Sequence, residues 1–254
     1  MRRLLNTGLL LASSIGGAAA GWAATPAPSA AQASLPISQQ KIIEIKGIEV
    51  PALLGKAFSD LTVFAVNQGM LMPIPHQCED FDDEGYSWFR DSKTPLRGRE
   101  GSLDTHDSLL FRFADAGSKL NDEQVRENNQ LVQIQITDGA ETRYVYVSQQ
   151  PARFSYTPLA TYDASSGKIS TDFFTLQTAP DNLLQWSDFT YRNFQGAPNG
   201  TLLDTLKIRL DAGVVLDNAR VTLNNDDLST HVVAIKAGPI RTVMLAEAKM
   251  KFAG

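Results

Sequence analysis

The sequence predicts an all-β protein, a mainly antiparallel β-sandwich or jelly-roll-like fold with at most one short helix in its folded part. Apolar residues recur in short runs with a period of two, the repeat of a half-buried strand. Clusters of Gly, Pro, Asn, Asp and Ser interrupt these runs at short intervals, as the turns of an antiparallel sheet do. Helical periodicity is weak beyond the N-terminal segment, which argues against helices as the main building block.

The chain opens with Arg2 and Arg3, and no charge follows from Leu4 to Ala24. A positive start, an apolar stretch through Leu9, Leu10, Leu11 and Ile15, and then Ala and Gly have the order of a secretory leader. Ala31-Gln32-Ala33 fits the small-x-small rule for cleavage, with Gly21-Trp22-Ala23 as a second position. Residues 1–33 are therefore expected to be a signal peptide cleaved near Ala33, and residues 34–40 a flexible tether. A retained anchor is the competing reading. The stretch is weakly apolar, so no stable membrane insertion of the mature chain is expected. The expected location is periplasmic or secreted.

The folded part is expected over residues 41–254 as one sandwich domain, with a possible subdivision at the Gly/Pro/Asn-rich stretch near 195–200. Ile43 and Ile45, then Ile48 and Val50, alternate with a slip at Gly47 where a bulge is expected. Asp60 to Val66 forms a second run before the turn Asn67-Gln68-Gly69. Met70, Met72 and Ile74 continue the pattern, and Pro73 and Pro75 confine them to an edge strand or extended loop. Tyr86 to Phe89 and Leu109 to Phe113 read as short strands, and residues 114–128 as the place for the single helix. Val132, Ile134 and Ile136 lead through Asp138-Gly139 to Arg143 to Val147, the pattern of a hairpin. Phe154 with Tyr156, Ile169 to Leu176, Leu184 to Tyr191, Leu206 to Leu210, Val214 to Leu223, Val232 to Ile235 and Ile240 to Phe252 complete the expected strands.

Composition narrows the function. The whole chain carries a formal charge of -5. Loss of Arg2 and Arg3 with the leader makes the mature chain more acidic still, so no nucleic-acid partner is expected from bulk electrostatics. Cys78 is the one cysteine, which rules out an intramolecular disulfide and leaves stability to an ordinary core. The chain has no G-x-S-x-G elbow, P-loop, H-E-x-x-H or paired C-x-x-C. His76 lies two residues from Cys78. Side chains so spaced on an extended segment share a face without being placed for proton transfer, so a half-buried polar pair is expected. His106 and His231 are expected to be ordinary.

Two groups of residues carry chemistry. Asp80, Asp82, Glu84, Gly85 and Asp91 fall at positions 1, 3, 5, 6 and 12 of the calcium-loop template, with Glu at the fifth position and Asp at the twelfth as departures. The prolines before this run exclude the entering helix of an EF-hand. A run of hard oxygen donors turning at a glycine is the chemistry of calcium. The Tyr86 carbonyl and Asp104 or Asp107 are the expected additional ligands. The second group is aromatic. Tyr86 and Trp88 follow the acidic run, and Trp186, Phe189 and Tyr191 share one short stretch. Exposed aromatic faces on a sandwich hold sugar rings, so Trp88, Tyr86, Trp186 and Tyr191 are the expected ligand-binding residues and carbohydrate the expected partner.

Pro73-Ile74-Pro75-His76-Gln77, the acidic Glu79 to Gly85, and Leu103-Asp104-Thr105-His106-Asp107 before Leu109-Leu110-Phe111 are three short blocks of a wider pattern. The chain resembles a set of exported bacterial β-rich proteins that carry a P-I-P-F-Q-x-D-E segment followed by an L-D-x-N-D-E-L-x-F segment. Gly238-Pro239-Ile240-Arg241 is similar to the G-P-V-R strand start of that set. Here His76 replaces Phe, Cys78 an aliphatic residue and Ser108 Glu. The resemblance implies an exported β-rich protein and no particular activity. A ligand-binding or structural role in the cell envelope is expected. The alternatives are a polysaccharide-active hydrolase or lyase, which needs two carboxylates facing across a groove, and a module that pairs a free sheet edge with a partner.

Overall fold

The computed structural model describes residues 41–151, 154–191, 200–203, 210–214, 219–223 and 227–251. The expected leader and tether, residues 195–199 of the expected joint, and the expected strand start at Leu206 lie outside them. The protein is all-β, built from antiparallel sheets, and Asp122–Glu127 (α1) is the one α-helix among the described residues. That helix falls within the stretch expected to hold it. Asn121 starts it, accepting the Gln124 amide at 2.9 Å, while the Gln124 side chain accepts the Asn121 amide at 3.1 Å, a reciprocal cap. No described helix is long and apolar enough to cross a membrane.

The described residues form two compact units: 41–159 with Ala237–Arg241, and Ala160–Lys236 with 242–251. The first holds two sheets. Ile42–Lys46 (β1), Gln77–Glu79 (β4) and Ser108–Arg112 (β5) pair in the order β1-β5-β4. Thr62–Asn67 (β2), Met70–Pro73 (β3), Val132–Asp138 (β6) and Glu141–Ser148 (β7) pair in the order β3-β2-β7-β6. Val63 and Ala65 on β2, Ile134 and Ile136 on β6, and Val145 and Val147 on β7 meet Leu109 and Phe111 of β5 in one buried cluster, with Ile43, Ile45 and Cys78 packed against it. Two sheets thus face each other across a shared core. Fully burying each such aliphatic or phenyl side chain contributes about 1.5–3 kcal/mol. The opposite face of β7 is covered too. Tyr146 is buried with Val66 and Leu120, and its hydroxyl accepts the Leu120 amide at 2.8 Å.

The proline-bearing strand β3 is an edge strand, as its missing donors require. The 6–7 hairpin turns where expected, with Asp138 opposite Glu141. Three expectations fail in this unit. Gly47–Glu49 is a 3-10 turn, not a bulge inside a longer strand. A Cβ on Gly47 would lie 1.7 Å from the Asp104 carbonyl oxygen, and the Gly47 and Ile48 amides donate to Asp107 and Thr105, so the chain turns to follow that loop. Tyr86 to Phe89 is not a strand either. Only Ser87 makes a bridge, to Phe81, because this segment is folded into a loop and has no strand to pair with. Phe154 and Tyr156 likewise lie in irregular chain.

The outward face of the three-stranded sheet is polar and pinned by a distant segment. Arg241, in the turn before Thr242–Met250 (β15), places Nε 2.8 Å and Nη2 2.5 Å from the two carboxylate oxygens of Glu79. The Glu79 carboxylate also accepts the Gln77 side-chain amide at 2.7 Å and the Ser87 hydroxyl at 3.0 Å. The Gln77 Oε1 accepts the Ile240 and Arg241 backbone amides at 3.0 Å each. Glu44 joins from β1, accepting Ser108 at 2.7 Å and Lys46 at 2.6 Å, with Arg241 at 3.6 Å. Burial opposes the charge of Glu44, and these donors outweigh it and hold its carboxyl below the usual range.

The second unit holds Ala160–Asp163 (β8), Lys168–Thr171 (β9), Phe174–Ala179 (β10) and Asn182–Tyr191 (β11) in the order β11-β10-β9-β8. Leu210–Val214 (β12) pairs with Ala219–Leu223 (β13), and Leu228–Ala237 (β14) pairs with β15. The expected strand Ile169 to Leu176 is in fact two, since the chain turns at Asp172-Phe173 and Thr175 pairs back with Ser170. Buried Asn182 ties β11 to β14, donating to the Leu228 carbonyl at 2.9 Å and accepting the Thr230 amide at 3.1 Å.

Arg241→Met is expected to destabilise the protein by roughly 3–5 kcal/mol, because Glu79 is left buried without its cation. The value belongs at the low end since Gln77 and Ser87 continue to donate. Urea unfolding of the full chain followed by tryptophan fluorescence measures it, and a loss under about 1 kcal/mol, the worth of an exposed pair, contradicts the assignment.

Candidate functional site

Two regions hold the residues expected to carry function, one in each unit. The first is the connection between β4 and β5, residues 80–107. A connection this long with no sheet ladder must find acceptors for its amides elsewhere, and here its own carboxylates supply them. Buried Asp82 accepts the amides of Glu84 at 3.0 Å and Tyr86 at 2.9 Å through one oxygen, and its own amide donates to the Tyr86 carbonyl at 2.9 Å. Gly85 sits between them at φ 85°, a left-handed turn position that suits glycine. Asp80 accepts the Gly101 amide at 2.9 Å, and its carbonyl accepts Trp88 at 2.9 Å. Phe81 and Phe89 are buried within this connection, and Leu103 joins the core cluster between the two sheets.

Asp107 is the centre of this connection. It is fully buried and accepts the Phe81 amide at 3.1 Å through one oxygen and the Asp104 amide at 2.7 Å through the other. Burial pushes its carboxyl up from the ordinary 3.8 to about 6, helped by the charges of Asp104 and Asp80 and opposed by the two amides. Asp104 in turn accepts the amides of His106 at 2.7 Å and Asp107 at 3.1 Å.

The expected calcium ligands are therefore placed as follows. Asp80, Asp82, Asp104 and Asp107 turn onto backbone amides, the Tyr86 carbonyl is taken by Asp82, and Glu84 and Asp91 are exposed. Among the described residues no three His, Cys, Asp or Glu side chains gather as a group able to hold a metal. Tyr86 is exposed at the loop tip and Trp88 is half-buried. Nearby, Cys78 packs into the core and burial pushes its thiol up to about 12, which leaves no thiolate for nucleophilic work. The His76 ring nitrogens lie 3.0 Å from the carbonyls of Ile74 and Leu61, so the ring serves the backbone and not the thiol.

The second region is the outer end of β10 and β11. Phe174 pairs with Tyr191, Leu176 with Phe189 and Thr178 with Trp186. Leu176 and Thr178 are buried, whereas Trp186 is 41 % and Tyr191 47 % exposed, so this face of the sheet opens toward its edge strand. The Phe174 and Phe189 rings meet in a tilted contact, with centroids 5.7 Å apart and planes at 45°. A shallow pocket of about 290 Å3 lies at the strand ends, walled by Phe173, Phe174 and Tyr191 and rimmed by Thr171, Thr190 and Asp172. Of the expected aromatic residues, Tyr191 lines this pocket, and Trp186 lies further along the same strand. Phe173, Phe174 and Asp172 were missed from sequence, since nothing in the residue order shows that the chain turns there and lays Phe174 beside Tyr191.

Comparison with protein-family models, curated proteins and solved structures finds no significant match to this chain.

The contribution of Asp107 to stability is expected to fall as pH rises from about 4 to about 6. The raised carboxyl of Asp107 means that the native chain binds more protons than the unfolded chain across that window, and the stability so gained is lost as pH passes the native value. Melting temperatures across the window measure the slope. Asp107→Asn is expected to flatten it whatever the variant does to absolute stability, and an unchanged slope would assign it to another group.

Proposed function

We propose that this chain is a carbohydrate-binding β-protein of the bacterial cell envelope, exported by its N-terminal leader and acting without catalysis. The observation that carries this reading is the pocket at the ends of β10 and β11. It joins the aromatic residues Phe173, Phe174 and Tyr191 to Thr190 and Asp172, while the Thr171 hydroxyl is engaged in the turn itself, donating to the Phe174 carbonyl and accepting the Phe173 and Phe174 amides. Ring faces pack against the C–H faces of a sugar while a hydroxyl and a carboxylate take up its hydroxyl groups, the mixture an amphipathic ring requires. The pocket is at the small end of ligand sites, near 300 Å3, which suits a single sugar ring.

The polysaccharide-active enzyme is the weaker reading. Hydrolysis uses two carboxyl groups some 5–10 Å apart across the bond to be cut. Asp172 is the single carboxylate among the described residues that line the pocket. The dense carboxylates of residues 80–107 are occupied in holding backbone amides.

Affinity electrophoresis through gels containing soluble polysaccharides tests the binding. The wild type is expected to be retarded by at least one of them, and Tyr191→Ala to weaken that binding about tenfold, the loss of one stacked ring. Release of reducing ends, or equal retardation of the variant, would contradict the proposal. For export, protein purified from the periplasm or medium is expected to begin near Ser34, as N-terminal sequencing would show.

A further inference from the structure

Trp186 and Tyr191 are separated by an odd number of positions, and in a regular strand they would point to opposite faces of the sheet. The register removes that conflict. Phe174, Leu176 and Thr178 on β10 alternate onto one face, and their partners on β11 are Tyr191, Phe189 and Trp186. Between Gln177 and Thr178 the partner on β11 moves from Asp188 to Trp186, so β11 carries one extra residue there, Ser187, in a β-bulge, and the register shifts again past Trp186, where Ala179 pairs with Asn182. The bulge turns Trp186 onto the face that holds Tyr191. Cross-strand partners share a face, so the three aromatic residues form one row along an edge strand.

The row is longer than one sugar. From Phe174 to Thr178 the span is about 14 Å at the rise of an antiparallel strand, well beyond the width of a pyranose ring. A monosaccharide in the pocket would leave the Trp186 ring bare. That ring is held in place, since its Nε1 donates to the Leu183 carbonyl at 2.9 Å, and an immobilised ring loses little entropy when it is covered. The backbone edge of β11 is already engaged at Phe189, midway along the row. The Leu202 amide donates to the Phe189 carbonyl at 2.6 Å, and the Phe189 amide donates to the Thr201 hydroxyl at 3.3 Å. What β11 offers a partner here is therefore a row of ring faces and not a backbone ladder, which favours a stacked ligand over a peptide strand.

Resting on the carbohydrate reading above, we infer that the ligand is a linear glycan several rings long, lying along β11 from the Phe174–Tyr191 pocket to Trp186. Trp186 is the residue that selects a chain over a single sugar. Isothermal titration with cello- and xylo-oligosaccharides of one to about six rings tests this, run beside the polymer that retards the wild type best, digested to the same lengths. Wild-type affinity is expected to rise about tenfold or more with chain length and then level off once Trp186 is covered. Trp186→Ala is expected to remove that gain and keep the weak single-ring binding, and Trp186→Phe to restore part of it. Tyr191→Ala weakens every length. Strand-type circular dichroism of each variant excludes unfolding as the cause. If the single sugar binds as tightly as the longest chain, or Trp186→Ala keeps the wild-type length dependence, the chain inference falls and the carbohydrate reading stands. If no sugar or polymer binds, both fall.

Discussion

Glu79 is a carboxylate withdrawn from water on a strand of three residues, and such a charge must be met by donors from somewhere in the chain. Its two neighbours on the local chain, Gln77 and Ser87, supply neutral donors, and the cation comes from Arg241, 162 positions away. Attraction within a buried pair is largely offset by desolvation, so its net contribution is small, but a missing member leaves an unmatched charge. The consequence is positional. Residues Ala237–Arg241 belong to the first compact unit although the strands on either side of them belong to the second. Gln77 accepts both amides of Ile240 and Arg241, and Gly238 approaches so closely that a Cβ would lie 2.1 Å from the Gln77 Oε1.

The same economy of charge explains the acidic connection between β4 and β5. A dense run of carboxylates has two physical outlets, a cation or a set of N–H donors. In this chain the loop is irregular and internally buried, so its own amides need acceptors, and Asp80, Asp82, Asp104 and Asp107 provide them at 2.7–3.1 Å. A template that matches a calcium loop by residue type can thus describe a self-bonded turn. The acceptor pattern is the same for an amide and for a metal, and only the direction of each carboxylate separates the two. The raised carboxyl of Asp107 is the cost of placing the last of these acceptors where no water reaches.

The second unit builds its aromatic surface by different means. Its site has no unusual residue types. It depends on a turn at Asp172-Phe173 that brings β10 back beside β9, and on one extra residue in β11. A bulge costs some ladder regularity and re-aims a side chain, which is a common use of bulges at sheet edges. Here it converts an alternating pair of aromatic residues into a row.

Much of the fold was legible in the residues. Period-two runs through β2, β6 and β7, the prolines of β3 and the turn signal at Asp138-Gly139 determined strands, an edge and a hairpin, because alternation and backbone donor loss act within a few residues. The place of α1 and the faces of Tyr144, Tyr146, Val145 and Val147 follow for the same reason. Gly47, Tyr86 to Phe89 and the division of Ile169 to Leu176 were not legible, since each is decided by which distant backbone lies alongside. The acidic and aromatic residues stood out by type alone. Their directions did not, because a carboxylate on an amide or a tryptophan beyond a bulge is set by tertiary neighbours that local sequence does not encode. Sequence therefore determined an all-β chain with its candidate chemistry in two segments, while only the packed structure decided that one segment turns inward as scaffold and the other presents its rings to solvent.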